Sequence, residues 1–212
     1  LGDVYKRQQN NPIPLNWDAE TIVTNYFQCN YWGEKGAKRA VLARELNLDE
    51  ILNIKKHAKV EIEVQVHGMT CMFQSKRMLL GNYYTFQDRQ MKIQRSENEQ
   101  DLLLYDEERE NKYPVFEDYN GTHIMSPNDI CLIEELEPFF EANIDSFKID
   151  GILHSESYIN TVTAQYREAI DLYHEDPEAY EDEKFMLIDP IEEIQPEHRP
   201  FDEGFLYKQT VY

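Results

Sequence analysis

His67 and Cys71 are the side chains in this sequence best suited to nucleophilic chemistry, because an imidazole beside a thiol generates the thiolate that attacks a carbonyl. They lie four residues apart in VHGMTC, where an alternating apolar run gives way to a loop. No third group that would orient the imidazole is recognisable, and a rim histidine beside an unreactive cysteine is the plainer alternative. Cys29 and Cys131 fall in stretches of helical character and read as core residues. Three widely spaced cysteines with no C-x-x-C pair build neither a disulfide framework nor a four-thiolate site, which fits a reducing cytoplasm.

The strand that leads into His67 has two unlike faces. Val60, Ile62, Val64 and Val66 occupy one, and Glu61, Glu63, Gln65 and His67 the other. A second strand, Asp145 to Asp150, repeats the pattern with Phe147 and Ile149 opposing Ser146, Lys148 and Asp150. Parallel strands covered on both faces read as continuous apolar runs, so alternation implies a polar interior such as that of a barrel. Glu63 and Lys148 are then expected to meet inside, with Arg44 on the C-terminal rim. Two readings stand. One is a structural ion-pair network. The other is a pocket for a small anionic ligand gripped by Arg44 and Lys148, lined by Glu63 and Asp150, with His67 close by.

The elements that must carry these residues alternate between strand and helix. A short apolar piece at Thr21 to Thr24 precedes a helix from Asn25 to about Lys35 that closes at Gly36. Arg39 to Ala43 reads as a strand. Asn47 and Glu50 form an N-x-x-E capping signal for a helix to about His57, and a strand runs next from Val60 to Val66. Residues 72–122 read as a small β-rich insertion, in which Leu102 to Tyr105 and Tyr113 to Phe116 pair around a charged turn. Ser126, Pro127 and Asp129 predict a helix to about Ala142. Ser155 opens the longest helix, with Ile159, Val162, Tyr166, Ala169, Ile170 and Tyr173 on one face, until Pro177 interrupts it.

The predicted fold class is α/β. It is the C-terminal portion of a parallel (β/α) TIM-like barrel, with βα units over 9–71 and 123–176, the insertion, and an acidic C-terminal segment over 177–212. Residues 1–8 (LGDVYKRQ) share no periodicity with the rest of the chain and read as adaptor-derived sequence. About four βα units are visible where a closed barrel needs eight, so the chain reads as a fragment.

Charge narrows the function further. Residues 1–95 carry a net charge of +4 and residues 96–212 one of −24, within a total of −20. Phosphate binding needs a basic footprint, and only the earlier half, with residues such as Lys38, Arg39, Lys55, Lys56, Lys76 and Arg77, offers one. Unaided nucleic-acid binding is disfavoured. Tyr83, Tyr84 and Phe86 beside Lys76 and Arg77 suit either base stacking or packing of the insertion. No run approaches the roughly 18 to 20 apolar residues of a membrane span.

Three separated motifs carry a family resemblance: TNYFQCNYWGEKGAKRAVLAREL, VEIEVQVHGMTCMFQSKRMLLGNYY and MSPNDICLIEELEPFFEANIDSFKIDG. Together they resemble peptidase family U32, the collagenase-like proteases, over nearly everything after Asn10. The resemblance implies that about a hundred residues of barrel precede this chain. It also implies that PEHRPFDEGFLYKQTVY is close to a natural C-terminus. Family members with four cysteines hold an iron–sulfur cluster, and several are tRNA hydroxylases that use prephenate to make 5-hydroxyuridine. This chain keeps Glu63, His67, Gly68 and Cys71 of the signature, but has Gln65 in place of Phe and Met78 in place of the second cysteine. It resembles the cluster-less Firmicutes paralog that works beside a cluster-bearing one. That implies no cofactor bound by this chain, a cluster and prephenate belonging to the partner, and tRNA engaged only indirectly. A peptidase using Cys71 and His67, or a small-carboxylate binding module without catalysis, are the alternatives.

Overall fold

The computed structural model describes residues 13–19, 22–88, 102–108 and 110–209. The segment read as adaptor-derived, 1–8, lies outside them. The chain divides into two bodies. The first comprises residues 1–68, 130–196 and 201–212, and the second 69–129 and 197–200.

The first body is built on parallel strands. β1 (Leu15–Asp18), β2 (Ala37–Val41), β3 (Glu61–Ser75) and β7 (Ser146–Asp150) pair in the order β1-β2-β3-β7, all parallel. The connecting helices start where local capping demands. α1 (Tyr26–Glu34) is capped by the Asn25 side chain, and α2 (Leu48–His57) by a complete capping box of Asn47 and Glu50. α5 (Glu156–Glu175) is capped by Ser155 and buries Tyr158, Val162, Tyr166 and Ala169 at helical spacing. Ile62, Val64 and Val66 of β3 face this helical side and join one apolar core with Ala40, Ile54, Phe139 and Val162. Burying each such side chain contributes on the order of 1.5–3 kcal/mol.

Several expectations need correction here. The first strand is Leu15–Asp18, not 21–24, because Trp17 stacks on Trp32 of α1 at 3.6 Å and anchors that segment. The second strand begins two residues earlier than read, at Ala37. The acidic segment after Pro177 is not a tail. Asp176 caps α6 (Pro177–Leu187), α7 (Asp189–Glu192) and the short β8 (Phe201–Asp202) come after it, and Tyr180, Leu187, Ile191 and Leu206 enter the core. Those four side chains are buried, while Phe185, Met186 and Tyr207 of the same segment stay exposed.

The second body contains the outer part of β3, which runs on to Ser75, then α3 (Leu79–Phe86), β4 (Leu102–Asp106), β5 (Asn111–Asp118) and β6 (Gly121–Cys131). Strand order is β3-β6-β5-β4, with β4, β5 and β6 antiparallel. The expected pairing around the charged turn is present, with Leu104 opposite Tyr113. The expected helix from Ser126 is absent: that stretch is strand β6, and only a 3-10 turn (Ile133–Glu135) and α4 (Glu137–Glu141) come after it. Ser126 does not cap a helix; its hydroxyl accepts from the Thr70 amide (3.0 Å) and donates to the Asn128 carbonyl (2.7 Å). Strand pairing outweighed a local capping signal.

This body has few buried apolar side chains, Met69, Val115 and Met125 among them, and relies on buried polar groups. Glu117 accepts from the Leu80 and Gly81 amides at 2.7 and 2.8 Å, so a strand carboxylate supplies the N-terminal cap that Met78 cannot give α3. Asp129 pairs with Arg199 at 2.5 Å, both almost fully buried. The whole is a mixed α/β fold with an open sheet. No barrel closes among the described residues, because the sheet ends at β1 and at β4.

Candidate functional site

His67 does not stand in the polar row with Glu63. β3 and β7 pair Gln65 with Lys148 but His67 with Ile149, a register shift of one residue that moves the imidazole into phase with the apolar face. It is fully buried against α5. Its Nε2 lies 2.9 Å from the Tyr158 hydroxyl, which donates its one proton to Gln195 Oε1 at 2.6 Å. Nε2 therefore carries hydrogen and donates to Tyr158. Tyr166 approaches Nδ1 at 3.5 Å but donates to the Val66 carbonyl at 2.8 Å and accepts from the Leu132 amide at 3.1 Å. Burial pushes the Tyr166 phenol well up, which keeps it protonated and a donor. His154 stacks on Tyr158 at 3.7 Å, and Phe201 lies edge-on to His67.

Gly68 comes next with φ +100°, and a Cβ there would stand 2.0 Å from the Asp150 carbonyl oxygen. Only glycine lets β3 and β7 approach at this point. Asp150 pairs in register with Gly68, and its carboxylate accepts from the Ile152 amide at 3.2 Å.

The polar face carries an ion-pair lattice whose partners differ from those the alternation suggests. Glu63 bonds to Arg39 at 3.0 Å and accepts from Ser146 at 2.8 Å, and Arg39 also holds Glu61 at 2.8 Å. The Glu61 hydrogen bond pushes the Arg39 guanidinium up from its ordinary value, with Glu63 adding to it. Lys148 pairs with Asp18 of β1 at 2.9 Å rather than with Glu63. Lys55 and the Ile62 amide both bind Asp145. Arg39 and Asp18 are thus site residues that the alternation of β3 and β7 did not single out, and Ser146 is the polar-face residue of β7 that Glu63 meets. One polar side chain in phase on each of four adjacent strands was the signal that pointed to them.

Arg44 lies apart from this lattice, in the turn after β2. It lines a cavity of about 20 Å³ with Gln65, Ile130, Glu203 and Leu206, and its Nη1 is buried without a hydrogen-bond partner among the described residues. That volume holds about one water molecule.

The thiols are dispersed. Cys71 lies in the second body, its Sγ 3.5 Å from the Phe73 carbonyl. Cys29 is buried in α1 and Cys131 ends β6 beside Tyr166; burial pushes both thiols up to about 11. An iron–sulfur cluster needs several convergent thiolates. Among the described residues no three His, Cys, Asp or Glu side chains converge on a metal position, so these donors do not fit one.

Comparison with known proteins gives the chain its relatives. It is 58% identical over 206 residues to tRNA hydroxylation protein P2 of Bacillus subtilis (strain 168), covering 97% of this chain and 67% of that protein. It is 33% identical over 175 residues to tRNA hydroxylation protein P1 of the same organism, covering 82% of this chain and 42% of that one. It is 26% identical over 239 residues to tRNA hydroxylation protein P of Escherichia coli (strain K12), covering 93% and 51%. The chain spans about two thirds of the first relative and about half or less of the other two. No solved structure matches it. The peptidase family U32 profile matches residues 4–211. The signature around Glu63, His67, Gly68 and Cys71, together with these matches, shows that the chain belongs to peptidase family U32.

Proposed function

We propose that this chain acts in tRNA hydroxylation as a cluster-less subunit beside a cluster-bearing paralog. The observation that carries the reading is 58% identity to tRNA hydroxylation protein P2 across nearly the whole chain. Two further facts support the division of labour: a P1 relative from the organism that carries P2, and the absence, among the described residues, of three His, Cys, Asp or Glu side chains that could hold a metal. The iron–sulfur chemistry and its prephenate co-substrate then belong to the partner. Substrate tRNA is engaged through the pair, since this chain's later half is strongly acidic. Three free thiols fit a cytoplasmic location, and no described helix is long and apolar enough to cross a membrane.

In this reading β1, β2, β3 and β7 form an arc of a (β/α) barrel, the helix-covered apolar face outside and the Arg39–Glu63–Ser146 and Lys148–Asp18 lattice inside. Glu63, Lys148 and Asp150 are the ligand-facing groups, and Arg44, in the turn after β2, is the further group that this reading assigns to ligand binding. His67 is a positioning residue: its ring ties β3 to α5. The test is co-expression of the full-length protein with the four-cysteine paralog, followed by measurement of 5-hydroxyuridine in tRNA from cells lacking this gene. A stable hetero-complex and a loss of the modified base are expected. Failure to co-purify, together with unchanged tRNA, sinks the proposal. Gelatin cleavage abolished by Cys71→Ala would assign the peptidase activity instead.

A further inference from the structure

β4 is an unusual surface strand. Leu102, Leu103, Leu104 and Tyr105 put apolar groups on both of its faces, and they are 39, 47, 52 and 53% exposed. A strand with one wet face alternates apolar with polar residues, and this one does not. β5 takes one of its edges, and among the described residues β4 ends the sheet. The devices that blunt an edge, such as lysine, proline, a bulge or an inward charge, are missing between Leu102 and Tyr105. Instead the strand is bracketed by acid. Asp101 precedes it in sequence, and the run Asp106, Glu107, Glu108, Arg109, Glu110 that ends it carries four acids to one base, with Glu107, Glu108 and Glu110 exposed.

That bracketing decides what the edge accepts. A second copy of β4 offers the acidic end no base, since residues 102–108 contain neither Lys nor Arg, and paired in parallel register it sets Asp106, Glu107 and Glu108 against their own copies. Like charges directly opposed destabilise such pairing, so a second copy is disfavoured. We infer that β4 docks an extended segment of the cluster-bearing paralog, a strand with an apolar centre of about four residues and Lys or Arg at the end that meets Asp106, Glu107 and Glu108. Backbone hydrogen bonds supply affinity, the leucines supply buried area, and the acids supply register and choice of partner. The inference rests on the paralog pairing proposed above and adds its location.

Amide hydrogen exchange on the full-length protein, alone and with the four-cysteine paralog, tests it. Exchange across Leu102–Asp106 should slow at least about tenfold on complex formation. Glu107→Lys combined with Glu108→Lys should raise the dissociation constant about tenfold at low ionic strength, whereas the charge-matched surface control Asp182→Lys with Glu183→Lys should not. A complex that forms while β4 exchange is unchanged overturns the docking site and leaves the pairing intact. Absence of any complex overturns both. Protection of β4 that rises with this protein's own concentration, without the paralog, makes a second copy the occupant and overturns the inference.

Discussion

The Tyr166 hydroxyl serves two strands at once, donating to Val66 and accepting from Leu132, while the Leu132 amide also reaches the Val66 carbonyl at 3.0 Å. Because that amide keeps a second acceptor, Tyr166→Phe should cost about 1 kcal/mol by urea unfolding rather than the larger penalty of an orphaned buried group. The thiols separate by environment in the same way. With Cys29 and Cys131 pushed up to about 11, both stay protonated near pH 8, so an alkylating agent should label Cys71 first. Peptide mapping after brief exposure checks this, and equal labelling of all three contradicts it. The four-residue spacing of His67 and Cys71 was legible in the sequence. The one-residue register shift that gives His67 to α5 was not, because it depends on β7, some eighty residues downstream.

Among the elements, the joint between β3 and β7 is the most constrained. Gly68→Ala would combine a φ of +100° with a Cβ placed 2.0 Å from a backbone oxygen that has nowhere to move. A loss of at least about 2 kcal/mol is expected from a thermal or urea melt, well beyond ordinary surface substitutions. The helices were the readable elements: Asn25, Asn47 with Glu50, and Ser155 all cap where their sequences say, since a cap is decided within four residues. Ser126–Pro127 carried a similar local signal and formed a strand. There the Thr70 amide competes for the Ser126 hydroxyl from a partner strand that no local pattern reveals.

For the whole molecule, the acids of the later half are shared by the two bodies, the larger part falling in the first body after Ile130. Glu134 shows the consequence: burial first, then the neighbouring charges of Glu135 and Glu192, push its carboxyl up from the ordinary value of 4.5. A carboxyl raised in the folded state favours folding at low pH, and that contribution is lost as pH rises through the folded value. Glu134→Gln should therefore stabilise the protein at pH 7, with the gain vanishing as pH falls below about 4.5, read as paired melting curves. The second body depends instead on its buried ion pair. Arg199→Met removes the guanidinium that Asp129 holds at 2.5 Å and should cost about 3–5 kcal/mol, much of it recovered by adding Asp129→Asn.

By itself the sequence determined what is decided locally. Helix starts, the two-faced character of β3 and β7, the β4–β5 pairing and the U32 signature all arise from hydrogen bonds and side-chain periods a few residues long. Tertiary structure alone decided who meets whom. Glu63 met Arg39 and Ser146, Lys148 met Asp18, and His67 met Tyr158, partners from 24 to 130 residues apart. Register selects such pairs, and a shift of one residue exchanges the two faces of a strand. The apolar residues of the acidic C-terminal segment likewise found their place only when the core offered them a face to cover.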